Sequence, residues 1–77
     1  MNWQDRISID PAICHGKACI AGSRVMISVV LDNLADGESH QSIVDGYHIE
    51  DADIQAALHY AAALANERII RLPVGVS

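Results

Sequence analysis

The 77-residue sequence has no phenylalanine and only three aromatic residues, Trp3, Tyr47 and Tyr60. Aliphatic Ile, Val, Leu and Ala must therefore supply the packing, each large side chain contributing about 1.5–3 kcal/mol when fully buried. Charge is also sparse: 19% of residues are charged against 51% hydrophobic, too apolar a balance for a disordered segment. No run of about 18 apolar residues occurs, which excludes a membrane-spanning helix. Met1 does not open a charged, apolar, small-residue leader, so the expectation is a soluble cytoplasmic protein with no membrane association. Two cysteines, Cys14 and Cys19, are too few for a disulfide-stapled secreted scaffold and are expected to be thiols in a reducing compartment.

What is present is one small domain spanning residues 1–77. At this length a chain buries only roughly 60% of the surface its unfolded form exposes, so one thin core with spare apolar surface is expected, and with it a homodimer or another bound partner. The net charge of −5 argues against a generalised attraction to nucleic acid, which needs a basic footprint. Its distribution says more. Seven acids (Asp32, Asp36, Glu38, Asp45, Glu50, Asp51, Asp53) fall between positions 32 and 53 with no Lys or Arg among them; Arg6, Lys17 and Arg24 precede this stretch, and Arg68 and Arg71 follow it.

The first third alternates. Arg6-Ile7-Ser8-Ile9-Asp10 has the period of a half-buried strand, ended by Pro11. A second strand is expected through Cys19-Ile20, broken at Ala21-Gly22-Ser23 and resumed at Arg24-Val25-Met26-Ile27. Residues 6–27 thus read as a β-hairpin or β-arm. From Ser28, expected as a cap, the period becomes helical through Val30, Leu31, Leu34 and Ala35, with Gly37 in the left-handed position past the end. Ser39 caps a second helix holding Ile43 and Val44 and stopped at Gly46. Asp51 or Glu50 opens a third, where Ile54, Ala57, Leu58, Ala61, Leu64 and Ala65 form one apolar stripe running to about residue 69. The fold class is α+β, mainly α: a short arm, then a three-helix bundle over 28–69 in helix-turn-helix order, then an extended tail over 70–77. That order alone does not establish DNA binding.

The residues Ile7, Asp10-Pro11, His15-Gly16-Lys17, Ile20, Gly22, Arg24 and Val25 resemble the opening of the domain-of-unknown-function 433 family, and the spacing of Leu31, Leu34, Gly37, Ile43, Tyr47, Asp53, Ile54, Ala57, Leu58 and Tyr60 extends the resemblance over residues 6–65. The resemblance implies a β-arm joined to a homeodomain-like helix-turn-helix, and similarity to VapB-type antitoxins that accompany a small PIN-like ribonuclease. Ala18 stands where the family pattern has proline, Ser23 where it has threonine, and Ile27 where proline is common. The first and third loosen turns of the arm, and the second is nearly neutral.

Each candidate chemistry has a plainer reading beside it. Cys14, His15 and Cys19 are metal-ligand types, but they supply at most three ligands where a closed zinc site needs four. Cysteines facing each other across the His15-Gly16-Lys17-Ala18 tip explain the spacing without metal, so no metal and no other cofactor is expected. A Cys14–His15 nucleophile pair is disfavoured because neighbours in a strand point to opposite faces. Gly16-Lys17 lacks the glycine spacing and the Ser/Thr of a phosphate loop. No catalytic residue is assigned.

If the third helix entered a DNA groove, its first turns would present Asp51, Asp53, Gln55, Ala56 and His59, of which only Gln55 offers a bidentate contact to adenine, while the acids repel phosphate. The expected DNA contacts are therefore Arg6, Lys17 and Arg24 of the arm, doubled by dimerisation, together with Gln55. In the tail, Ile70, Leu72, Val74 and Val76 alternate with Arg71, Pro73, Gly75 and Ser77, the pattern of an edge strand that orders on a partner. Packing back over the chain's own core, or over a sister subunit, fits the same pattern. The function these readings jointly imply is the antitoxin half of a toxin–antitoxin pair, binding a PIN-like ribonuclease and operator DNA. A stand-alone regulator or a dimeric adaptor is the alternative, and a metal or redox sensor built on the two cysteines is a third class.

Overall fold

The computed structural model describes residues 2–67, which form three α-helices behind a short two-stranded antiparallel hairpin. The segment Trp3–Arg6 makes a 3-10 turn and leads into β1 (Ile7–Ser8), which pairs with β2 (Cys19–Ile20) in the register Ile7 to Ile20 and Ser8 to Cys19. Both strands are shorter than the alternation predicts. Asp10 ends the first by capping its own turn: its carboxylate accepts the Ala12 N–H at 2.8 Å and its carbonyl accepts the Ile13 N–H at 2.9 Å, an Asx-type turn across Pro11. Cys14, His15 and Gly16 then all take left-handed φ values of 54°, 55° and 77°. Cys14 and His15 therefore sit in a tight turn, and not as the strand neighbours assumed in disfavouring a nucleophile pair.

After β2 the chain breaks at Ala21–Ser23, as predicted, and doubles back. The Ile20 N–H donates to the Val25 carbonyl at 2.8 Å, and Ser23 Oγ bridges the turn by donating to the Ile20 carbonyl at 2.8 Å and accepting from the Val25 N–H at 3.1 Å. The resumed strand is only an isolated bridge between Cys19 and Met26, because Ile27 already begins α1 (Ile27–Ala35). Ser28 is thus inside the helix and not its cap. Met26 holds the capping position and makes no side-chain cap; instead the Ala18 carbonyl takes the Ile27 N–H at 3.0 Å, satisfying from the arm one of the donors that a helix start leaves open.

Gly37 (φ 89°) ends α1 as expected, its N–H donating to the Leu34 carbonyl while that of Glu38 reaches Asn33, which satisfies the last carbonyls. Ser39 is the cap of α2 (His40–Tyr47), accepting the Ser42 N–H at 3.1 Å. The predicted stop at Gly46 is displaced by two residues: Gly46 stays helical, and His48 takes the left-handed position at φ 57°. The gain lies in the next residue, because the reversal carries Ile49 into the core, where it is 7% exposed. The helix α3 (Asp51–Glu67) begins where expected. Ile20, Ile27, Val30, Ile43, Ile49, Ile54 and Ala57 form the core, wholly aliphatic, with Ile7, Leu31, Leu34 and Tyr60 packed around it.

Candidate functional site

Two features of the surface are set by how α3 meets the chain's N-terminal segment. The first is an ionic clasp. Arg6 Nη1 lies 2.9 Å from Asp53 Oδ1 and 3.3 Å from Glu50 Oε2. Asp53, 8% exposed, also accepts the Glu50 backbone N–H through Oδ2 at 2.9 Å. Its carboxylate sits in the first turn of α3, where the positive end of the helix dipole favours it. The hydrogen bond to Asp53, reinforced by Glu50, holds the Arg6 guanidinium even more firmly charged than usual. Beside the clasp, Trp3 stacks on His59 with ring centres 6.1 Å apart and meets Tyr60 edge-on at 6.4 Å.

This arrangement redistributes the residues expected to touch DNA. Arg6 is already engaged by two carboxylates. Gln55 is exposed, but it lines a cleft of about 580 Å³ with Trp3, Arg6, Asp51 and His59, so the N-terminal turn occupies the approach to that face of α3. Lys17 and Arg24 are both exposed. Lys17 borders a different groove, and Arg24 lines neither. The four residues are therefore not gathered into one basic surface, and α3 has no Lys or Arg from Asp51 to Glu67. Of the seven acids between 32 and 53, six are exposed and only Asp53 is buried. The tail residues Ile70, Leu72, Val74 and Val76 lie outside the described residues.

The second feature is an apolar groove of about 650 Å³ between the arm, α1 and the second half of α3. Ile9, 63% exposed, forms one lip with Lys17 and Ala18; Ile27 and Leu31 form the floor on α1; Tyr60, Ala61, Leu64 and Ala65 form the opposite wall. The α3 stripe identified from the sequence thus divides. Ile54 and Ala57 close the core, whereas Leu58 is 40% exposed and Leu64 only half-buried. The groove is not legible in the sequence because helical spacing marks an apolar face without saying what covers it. Its polar groups, the Lys17 ammonium and the Ser28 and Tyr60 hydroxyls, suit orientation of an apolar segment better than bond-making chemistry.

Among the described residues, no three His, Cys, Asp or Glu side chains converge in a way that would hold a metal ion, and no helix is long and apolar enough to cross a membrane. No curated protein and no solved structure shows a significant match. One family model matches residues 7–61, from β1 to the groove wall at Ala61, and its description is a protein of unknown function, DUF433. That match spans well over half the chain, including the arm, the turn Cys14–Gly16 and all three helices up to the middle of α3, so the chain belongs to the DUF433 family.

Proposed function

We propose that this chain is the antitoxin half of a toxin–antitoxin pair, a homeodomain-like helix-turn-helix module that binds and neutralises a PIN-like ribonuclease. The observation that carries the reading is the open groove of Ile9, Ile27, Leu31, Tyr60 and Leu64, on a chain whose exposed acids outnumber its exposed cations among the described residues. An apolar cleft of this size accepts a hydrophobic segment of a partner protein. The chain's net charge of −5 favours a partner with a cationic RNA-binding face, speeding encounter and screening that face from RNA. The alternating residues Ile70, Leu72, Val74 and Val76 extend the contact as an added strand.

Operator binding accompanies this activity in the proposal through Lys17 and Arg24 of a homodimer, since Arg6 is engaged by Asp53 and Glu50. A regulator that reads DNA with α3 is disfavoured by the acid-rich, Lys- and Arg-free helix. The reading is tested by expressing a small acid-site nuclease encoded beside this chain and asking whether the chain relieves the resulting growth arrest. Relief by the wild type but not by Leu64→Asp is the expected result. Equal relief by both would remove the groove from the account, and no relief by either would remove the antitoxin.

A further inference from the structure

The arm holds two thiols that the antitoxin reading does not use. Cys19 is fully buried and Cys14 half-buried, and both are free. Three successive left-handed residues, Cys14 to Gly16, reverse the chain after Ile13, a conformation that non-glycine residues adopt only when the surroundings enforce it. The reversal brings the Cys14 thiol to the Arg24 carbonyl, to which it donates at 3.4 Å, while the Cys19 thiol donates to the preceding carbonyl, Ser23, at 3.8 Å. Both thiols thus reach the carbonyls of one dipeptide, Ser23-Arg24, and Cys19 is a hydrogen-bonding and electrostatic neighbour of Cys14. Ser8 Oγ, 3.7 Å from Cys19 Sγ, closes the inner end of the pair.

We propose that Cys14 and Cys19 form a dithiol oxidised by hydroperoxides, in which half-buried Cys14 meets the oxidant and buried Cys19 resolves it as an intramolecular disulfide. The Cys14 thiolate attacks the terminal peroxide oxygen, the O–O bond breaks, and the departing oxygen takes up a proton and leaves as water from hydrogen peroxide or as an alcohol from an organic hydroperoxide, giving a sulfenic acid. The Cys19 thiol then attacks the sulfenic sulfur; an S–S bond forms, the S–O bond breaks, and a second water leaves. The two cysteines together lose two electrons, and the peroxide gains them. Burial, followed by the contact with Cys19, holds the Cys14 thiol above the ordinary thiol range, with Arg24 acting in the opposite direction. The resting Cys14 thiol accordingly favours its protonated form and reacts slowly, which suits a group that responds to sustained oxidation. The loop so closed, His15 to Ala18, includes Lys17 and Ala18 of the groove lip, so the disulfide ties that lip to β2.

The test uses the full-length folded chain, reduced, exposed to excess hydrogen peroxide, alkylated and mapped by mass spectrometry. Trypsin cuts after Arg6, Lys17 and Arg24, placing Cys14 on residues 7–17 and Cys19 on residues 18–24. The expected result is a monomeric chain lighter by about two mass units, with those two peptides joined and then released by dithiothreitol. Disulfide-linked dimers, or Cys14 as sulfinic acid with Cys19 still alkylatable after unfolding, would overturn the proposal. In folded Cys14→Ser, Cys19 stays unoxidised. In Cys19→Ser, a cyclic-diketone probe traps Cys14 as sulfenic acid. Oxidation of Cys19 in Cys14→Ser at the wild-type rate would contradict the assigned order, and the wild-type peptide map decides the pairing even if neither variant folds.

Discussion

The two halves of α3 differ more than their sequences do. Both are rich in alanine with large aliphatic residues at helical spacing. Yet Asp53, Ile54, Ala56 and Ala57 of the first half are all buried, and from Leu58 to Asn66 no residue is. The cause is length. The 17 residues of α3 face an α1 of 9 and an α2 of 8, and at about 1.5 Å per residue α3 outruns its neighbours by roughly 12 Å. Among the described residues, Trp3, the arm and the first turns of α1 at Ile27, Ser28 and Leu31 border the overhang without burying it. The first half therefore closes the core, while the second presents apolar surface that the described residues leave uncovered. Foldedness rests on the first stretch and the proposed binding on the second, and substitutions can separate them.

The largest effect is expected at Ile54. Ile54→Ala leaves a cavity beside Ile27, Val30 and Ile43 and should cost about 2–5 kcal/mol, enough to abolish cooperative thermal unfolding in a domain of this size. A mild loss comparable to a surface substitution would place the core elsewhere. Leu64→Asp, about three turns further on, should reduce partner affinity more than tenfold while shifting stability by no more than about 1 kcal/mol; unfolding of this variant would erase the distinction between the two halves. Ser39→Ala removes only the α2 cap and should cost about 1 kcal/mol in chemical denaturation, leaving partner affinity unchanged. Reversing Lys17 and Arg24 to Glu should weaken operator binding and lower its salt slope by roughly one for each phosphate no longer neutralised, whereas Arg6→Gln should act on stability alone. An unchanged slope in the double variant would remove the arm from any role in DNA binding.

The smallest effect is a rate. Because the Cys14 thiol is held above the ordinary range by burial and by Cys19, its alkylation at neutral pH should be slower than that of an exposed cysteine, and the difference should close as pH rises through its titration. The linked stability has the matching sign. A group whose titration is raised on folding favours the folded state below the unfolded-state value, and that contribution is lost at higher pH as the folded thiol ionises. Alkylation at the rate of a free thiol throughout this range would show that the Arg24 and Cys19 contacts are not held in solution.

The contrast within α3 also separates what is legible in the sequence from what is not. Ser39 and Gly37 are legible because capping and left-handed turns are local, decided by one residue and its neighbours. Ser28 and Gly46 mislead for a related reason: each has the right chemistry for its expected role, but the Ala18 carbonyl supplies the α1 start from the arm, and burial of Ile49 moves the α2 stop to His48. Arg6 reads as an open cation because its two acidic partners are 44 and 47 residues away. A comparable separation hides Trp3 against His59. The apolar stripe of α3 is legible as a stripe, but the point where its cover ends depends on the lengths of three helices together.

Binding of a ribonuclease by the overhanging half of α3 and the groove beside it, as proposed, is tested by affinity capture of the tagged full-length chain from its own host. The extract is treated with nuclease, washed at low and high salt, and compared with the Leu64→Asp variant. The expected result is near-stoichiometric recovery of one small PIN-like protein whose RNA cleavage the chain suppresses, and its absence from the variant. Recovery of the chain alone, with specific DNA appearing only when the nuclease is omitted, would contradict it.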